Sequence, residues 1–194
     1  MKNKNEDIED YDRLTLNQQL DYSFEKSIDF AGRVIRISGA IGSEIDFEFI
    51  DAALGELERT SNDEIIIKIN SHGGGVDEAL AIVGRITSSP CHIVTEGYGA
   101  IMSAATLILA CGDRRRMSRF AKFMHHEASY GAMGRHTSIK NEVSQMEREE
   151  HQWSQWMAEM SNEDAEFWYK KGVSTNTYFT ADKCKKAGVI DEVF

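Results

Sequence analysis

A chain of 194 residues with 41% hydrophobic side chains is long enough for one domain around a buried core, which excludes a disordered tail or linker. Its 22 Lys and Arg against 32 Asp and Glu leave a formal net charge of -10, which disfavours nucleic acid or an anionic membrane as the main partner, because both demand concentrated positive charge. Three cysteines, Cys91, Cys111 and Cys184, stand far apart without CxxC spacing; they suggest neither a disulfide framework nor a zinc cluster, and fit a reducing, cytoplasmic location.

In chain order, the acidic run Glu6-Asp7-Ile8-Glu9-Asp10-Tyr11-Asp12 opens a region with little apolar periodicity, so residues 1–32 read as a flexible or partner-dependent arm and 33–194 as the domain proper. The arm lacks the apolar stretch of a secretory leader, and the longest apolar run, around Ala104 to Cys111, falls far short of the roughly 20 residues that span a bilayer. From Arg33 onward β-branched strings alternate with helical patterns. Val34-Ile35-Arg36-Ile37 is followed by a helix carrying Ile50, Leu54 and Leu57, and then by Ile65-Ile66-Ile67-Lys68-Ile69. A helix is predicted from Gly75 to about Ser88, a strand over Cys91-His92-Ile93-Val94-Thr95, and a helix from about Ser103 to Ala110 that Gly112 ends. Lys122-Phe123-Met124-His125-His126 reads as a further strand. The intervals between Ile139, Val143, Met146, Trp153, Met157 and Met160 predict one long amphipathic helix, whose apolar stripe is read as core or subunit contact. Short helices near Asn162–Lys171 and Ala181–Ala187 and a strand at Val189–Val193 close an α/β fold.

Three features carry chemistry. Gly73-Gly74-Gly75 lies between a strand and a helix, where backbone N–H groups can cradle a phosphate or an oxyanion; a tight turn needing positive φ is the plain alternative. No Gly-Lys-Ser/Thr follows, so a P-loop fails, and GxGxxG is not matched. Ser103, in Gly99-Ala100-Ile101-Met102-Ser103-Ala104-Ala105, stands at a predicted helix N-terminus, whose free N–H groups favour a developing anion; an ordinary N-cap is the alternative. It is not a GxSxG elbow. Finally His125 and His126 end a strand, so only one of them can face Ser103, and no HExxH spacing suggests a metal. The basic run Arg114-Arg115-Arg116 is read as a subunit contact or solvated strand rather than a nucleic-acid surface.

Together INSHGGGVDEALAI, GAIMSAATLILACG, MHHE and TYFTADKCKKAGVID resemble the Clp protease proteolytic subunit (ClpP) family over roughly residues 33–194. The resemblance implies a ClpP/crotonase-like α/β fold of repeated ββα units with a long handle helix, and a serine endopeptidase that cleaves unfolded polypeptides inside an oligomeric chamber. By motif, Ser103 falls on the nucleophile, His126 rather than His125 on the general base, and the N–H groups of Gly74 and Ala104 on the oxyanion hole. Gly73, Gly75 and the segment Gly131, Ala132 and Met133 match substrate-binding backbone, the last as a strand that takes extended peptide by β-addition. Implied partners are polypeptide substrates, further copies of this chain in a heptameric ring, and a separate AAA+ unfoldase such as a Clp ATPase; no cofactor, metal, nucleic acid or membrane is implied.

The departures are as informative. The family's third triad residue is an aspartate, and here Asn176 stands in its place, which implies a weakened centre unless a carboxylate such as Asp164 or Asp182 substitutes. The alternative is a catalytically impaired ring or scaffold subunit. An acyl-CoA hydratase or isomerase of the crotonase group explains the glycines but not the joint Ser103 and His126 pattern. Ser174 and Thr175 replace an acidic–arginine pair that bridges stacked rings, so stacking to a tetradecamer is left open.

Overall fold

A computed structural model of the chain describes Thr15, residues 27–173 and residues 175–194. Isoleucine alternation sets the centre of the sheet. Ile65, Ile67 and Ile69 of β3 (Ile65–Ser71) and Ile35 and Ile37 of β2 (Val34–Ser38) are fully buried, while Arg36 and Lys68 between them turn to the other face. The two strands pair in parallel, Val34 opposite Ile66 through Ser38 opposite Asn70. A chain that runs parallel must cross over the sheet between strands, and α1 (Phe47–Thr60) makes that crossover. Its Asp46 side chain accepts the Phe49 N–H at 2.9 Å to cap the first turn, and it buries Ile50, Ala53, Leu54 and Leu57 in the core. Each such Ile or Leu contributes about 1.5–3 kcal/mol on leaving water.

The second crossover is α2 (Val76–Thr87), which leads to β4 (Ile93–Met102), paired in parallel with β3. This strand is about twice as long as the expected Cys91–Thr95. Gly97 and Gly99 hide its continuation, although the first is pressed against the Ile101 side chain and the second, at φ +51, lies against Asn70 where the register with β3 shifts. The long strand serves two neighbours. Val94–Gly97 pair with β5 (Arg114–Met117), whereas Ala100–Met102 pair with β6 (Lys122–His125). Between them α3 (Ala105–Ala110) runs entirely through the core.

The sheet has eight strands among the described residues, in the order β1-β2-β3-β4-β5-β8, with β6 and β7 branching from the end of β4. β1 (Ile28–Asp29) is antiparallel to β2, so the sheet starts ahead of Arg33; the rest of the expected arm, apart from Thr15 and residues 27–32, lies outside the described residues. Its neighbour across the far edge, β8 (Glu192–Val193), is parallel to β5, and β7 (Thr177–Phe179) is antiparallel to β6. The fold is α/β as expected.

The long helix is α4 (His136–Glu159), shifted slightly from the expected Ile139–Met160. Only Ser154 and Met157 in its second half are buried, and Val143 in its first half is 45% exposed. α5 (Ala165–Val173), capped by Asp164 through the Phe167 N–H at 2.7 Å, packs against it, and α6 (Ala181–Lys186) follows β7. The arginine run is paired with acids of its own chain. Arg114 pairs with Glu192, Arg115 with Asp191 and Arg116 with Glu96, each at 2.6–2.7 Å within this chain. No helix among the described residues is long and apolar enough to cross a membrane.

Candidate active site

The end of β4 is held on both flanks. Ile101 lies opposite Ser71 of β3 and Met102 opposite Met124 of β6, and the Asn70 side chain accepts the Ala100 N–H at 3.0 Å where the bulge deprives it of a strand partner. The next residue is Ser103. Its N–H donates to Met124 O at 2.9 Å, and its backbone takes φ +54, a left-handed conformation that costs a non-glycine residue roughly 1–2 kcal/mol. Ala104, not Ser103, is the N-cap of α3, and the Ser103 hydroxyl makes no hydrogen bond among the described residues. The plain N-cap reading therefore fails: a strained serine stands at a strand-to-helix turn with its hydroxyl uncommitted.

The glycine run lies directly behind it. A Cβ at Gly73 would meet Ser103 Cβ and Met102 O at 2.7 Å, so only glycine lets the two loops approach this closely. Gly73 N–H donates to Ser71 Oγ at 3.0 Å and Gly75 N–H to Ile41 O at 2.9 Å, while Ile41 N–H returns a bond to Gly73 O. These bonds narrow three possible donors to one, because the N–H groups of Gly73 and Gly75 are already occupied. The N–H of exposed Gly74 has no acceptor among the described residues, and neither has that of Ala104. Asn70 and Ser71, which tie this loop to Ala100, Gly73 and Gly39, had no distinguishing mark in the sequence beyond a place beside the glycines.

Of the two histidines, His125 is structural. It is buried at 3% exposure, its Nε2 lies 3.1 Å from Trp168 O, and its ring meets the Trp168 ring edge-on at 5.3 Å. Burial pulls its pKa down to about 4, against the raising effect of the Trp168 carbonyl, so the ring is neutral near pH 7. His126, one residue on, faces the other way. Its Nε2 is buried without a hydrogen-bond partner.

Two hollows meet at His126. A cavity of about 110 Å³ is lined by Ser103, Ala104 and His126 together with Val76, Leu80 and Trp153 among others. A cleft of about 380 Å³ is lined by His126, Thr175 and Asn176. His126 thus shares the first hollow with Ser103 and the second with Asn176. Asn176 is exposed and its side chain makes no hydrogen bond among the described residues. Asp164 is occupied capping α5, exposed Asp182 sits in the first turn of α6, and neither lines the cleft. Ser174 lies outside the described residues.

Gly131, Ala132 and Met133 line neither hollow. They are exposed and belong to a strand-free segment at 126–135, with Met133 96% exposed and none of the three in a backbone hydrogen bond among the described residues. The expected strand is absent because an extended segment becomes a strand only when another pairs with it. Trp153, assigned from periodicity to core or subunit contact, lines the cavity with Trp156, whereas Met157 of the same stripe is fully buried. Burial pushes the Cys111 and Cys184 thiols up to about 12, which removes them as nucleophiles. No group of three or more His, Cys, Asp and Glu gathers as a metal site among the described residues.

A free hydroxyl, an unpartnered imidazole nitrogen and the uncommitted Ala104 N–H around one cavity, with the uncommitted Gly74 N–H in the loop packed behind Ser103, suit acyl transfer, in which a hydroxyl adds to a carbonyl and charge develops on its oxygen. Comparison with known proteins agrees with this chemistry. A family model described as Clp protease matches residues 24–194. The ATP-dependent Clp protease proteolytic subunit 2 of Corynebacterium efficiens is 28% identical over 159 residues, covering 79% of each chain. Subunit 1 of Corynebacterium jeikeium is 27% identical over 159 residues, covering 79% of this chain and 84% of its own, and subunit 2 of Corynebacterium glutamicum is 29% identical over 161 residues.

Proposed function

The chain belongs to the Clp protease family, and on that premise we propose that it is a serine endopeptidase subunit whose nucleophile is Ser103. The observation that carries the reading is the shared cavity, which joins an uncommitted hydroxyl to a buried, unpartnered His126 Nε2. In the proposed reaction Ser103 Oγ bonds to the peptide carbonyl carbon as its proton passes to His126 Nε2. The N–H groups of Gly74 and Ala104 hold the oxyanion, worth about 10²–10³ in rate for one such donor. The C–N bond then breaks, the amine leaves with the proton from His126, and a water activated by the same imidazole releases the acid.

Asn176 orients the imidazole through its carbonyl oxygen but cannot stabilise imidazolium by charge, so turnover is slow. Substrates are unfolded polypeptides, lying in extended form along residues 131–133. The working form is a ring of copies of this chain, heptameric by the family resemblance, fed by a separate Clp-type ATPase. The curated relatives named above are proteolytic subunits of ATP-dependent proteases, which supports that partnership.

One observation favours a second reading, a ring subunit that retains the fold without turnover: Asn176 replaces the orienting carboxylate and holds no hydrogen bond to His126. Intact-mass analysis after treatment with a fluorophosphonate separates the two. A single adduct on the parent and none on Ser103→Ala is the expected result. An unreactive parent and an unreactive Asn176→Asp variant, both still assembled, would give the scaffold reading the field.

A further inference from the structure

We propose that the cavity beside Ser103 is a specificity pocket for a slender cationic side chain, lysine or arginine, on the acyl side of the scissile bond; this rests on the endopeptidase reading above. Size is the first argument. At about 110 Å³ the cavity has room for one side chain. Its walls suit a long aliphatic stem, with Val76 and Leu80 from α2 and Trp153 and Trp156 from α4.

Charge is the second. Asp77, Glu149 and Glu150 line the same cavity, and no Lys or Arg does. Elsewhere in the molecule the poorly exposed carboxylates are matched by arginines, Glu58 by Arg85 at 2.6 Å and Glu96 by Arg116 at 2.7 Å. The acids of the cavity have no such partner among the described residues. Glu150 accepts only the Ala128 N–H, at 2.6 Å, while Glu149 accepts Gln145 Nε2 at 2.8 Å and Tyr130 OH at 3.4 Å. Burial raises the Glu150 pKa, and burial together with Glu149 and Glu150 pushes Tyr130 up to about 12. A cation entering this cavity gives its acids a counter-charge, its stem covered by the apolar walls and its head drawn by the carboxylates. Acidic residues are disfavoured by repulsion.

The test uses peptidyl diphenyl phosphonates that differ only in the residue placed in this pocket, Arg, Lys, Leu, Phe or Glu. Each forms a phosphorus–oxygen bond to serine with loss of phenol. Rates of adduct formation on the full chain are read by intact mass, beside a fluorophosphonate that carries no side chain. The Arg or Lys reagent is expected to react about tenfold or more faster than the Leu reagent, with Glu slowest. That ratio is expected to fall toward one in Asp77→Asn/Glu149→Gln and, separately, in Glu150→Gln, which keeps an acceptor for Ala128. A Leu or Phe reagent reacting fastest, a ratio unmoved by either variant, or labelling by the fluorophosphonate alone overturns the pocket assignment while leaving Ser103 in place. Failure of the fluorophosphonate on both the parent and Asn176→Asp removes the endopeptidase reading and this inference with it.

Discussion

The two halves of the site are built differently. Ser103, Ala104 and Gly74 hang from the middle of the sheet, where β4 is flanked by β3 and β6 and the loops are locked by Asn70, Ser71 and Ile41. His126 and Asn176 sit where the sheet runs out, beyond the last residue of β6 and just before the three-residue edge strand β7. The serine half is fixed by contacts that tolerate no added atom, and the asparagine half by the short β6–β7 pairing with single hydrogen bonds beside it, from Glu127 N–H to Gly172 O and from the Thr177 hydroxyl to Lys171 O. A rigid half can keep its geometry through sequence change, whereas the other half carries Asn176, the residue to which the proposed mechanism assigns the orienting role.

The largest effect should come from restoring charge on the weak side. Asn176→Asp gives the imidazolium a counter-ion, and in a serine-protease triad the reverse exchange costs about 10⁴ in kcat. Peptide hydrolysis by the variant is expected to exceed the parent by tenfold at least, with stability little changed because the residue is exposed. No gain in initial rate would mean that Asn176 does not face the imidazole, and the comparison of halves would lose its chemical meaning.

On the rigid side the corresponding change is Gly74→Ala. Its φ of +152 and a Cβ that would sit 2.1 Å from Ile41 O leave no room for a methyl group. Displacing this loop removes one oxyanion donor, so activity is expected to drop by about 10²–10³. Thermal unfolding should also shift downward. If kcat/KM survives, the N–H of Gly74 is not part of the catalytic apparatus.

A smaller effect reports on the seam between the halves. His125 has a pKa near 4 in the fold against 6.5 as the reference, so the unfolded chain binds the proton more readily. Its contribution to stability is therefore complete above about pH 6.5 and is lost as pH falls toward 4, a total of roughly 3 kcal/mol. Calorimetric melting between pH 7 and 4 should show this dependence in the parent and lack it in His125→Leu, relative to each protein's own value at pH 7. Parallel curves for the two would show that His125 is protonated in the fold.

What was legible in the chain follows the same division. Ser103 and the glycines could be read because close approach demands particular residues at particular spacings, and the isoleucine strings because alternation mirrors the pleat. The second half of β4 was hidden by Gly97 and Gly99, which local propensity reads as a turn although β3 and β5 hold Gly97 in line and β6 holds Ala100–Met102 beyond them. Strand β7 is too short for periodicity to register, and among the described strands it pairs with β6 alone. Trp153 could not be told from core, since helical spacing identifies a face of α4 but not what that face meets.

The smallest expected effect lies along α4 itself, where a supported half and an unsupported half share one helix. Met157 is fully buried, and truncation to Ala should cost about 2–5 kcal/mol through lost transfer energy and the cavity left behind. Val143, four turns earlier and 45% exposed, has almost nothing to lose within the chain, so Val143→Thr should shift stability by about 0.5 kcal/mol or less. If this stretch is instead covered by another copy of the chain, the same substitution will make the melting temperature and sedimentation coefficient depend on protein concentration where the parent's do not. A dilution series on both proteins separates the cases, because a side chain exposed in solution has no contact for dilution to remove.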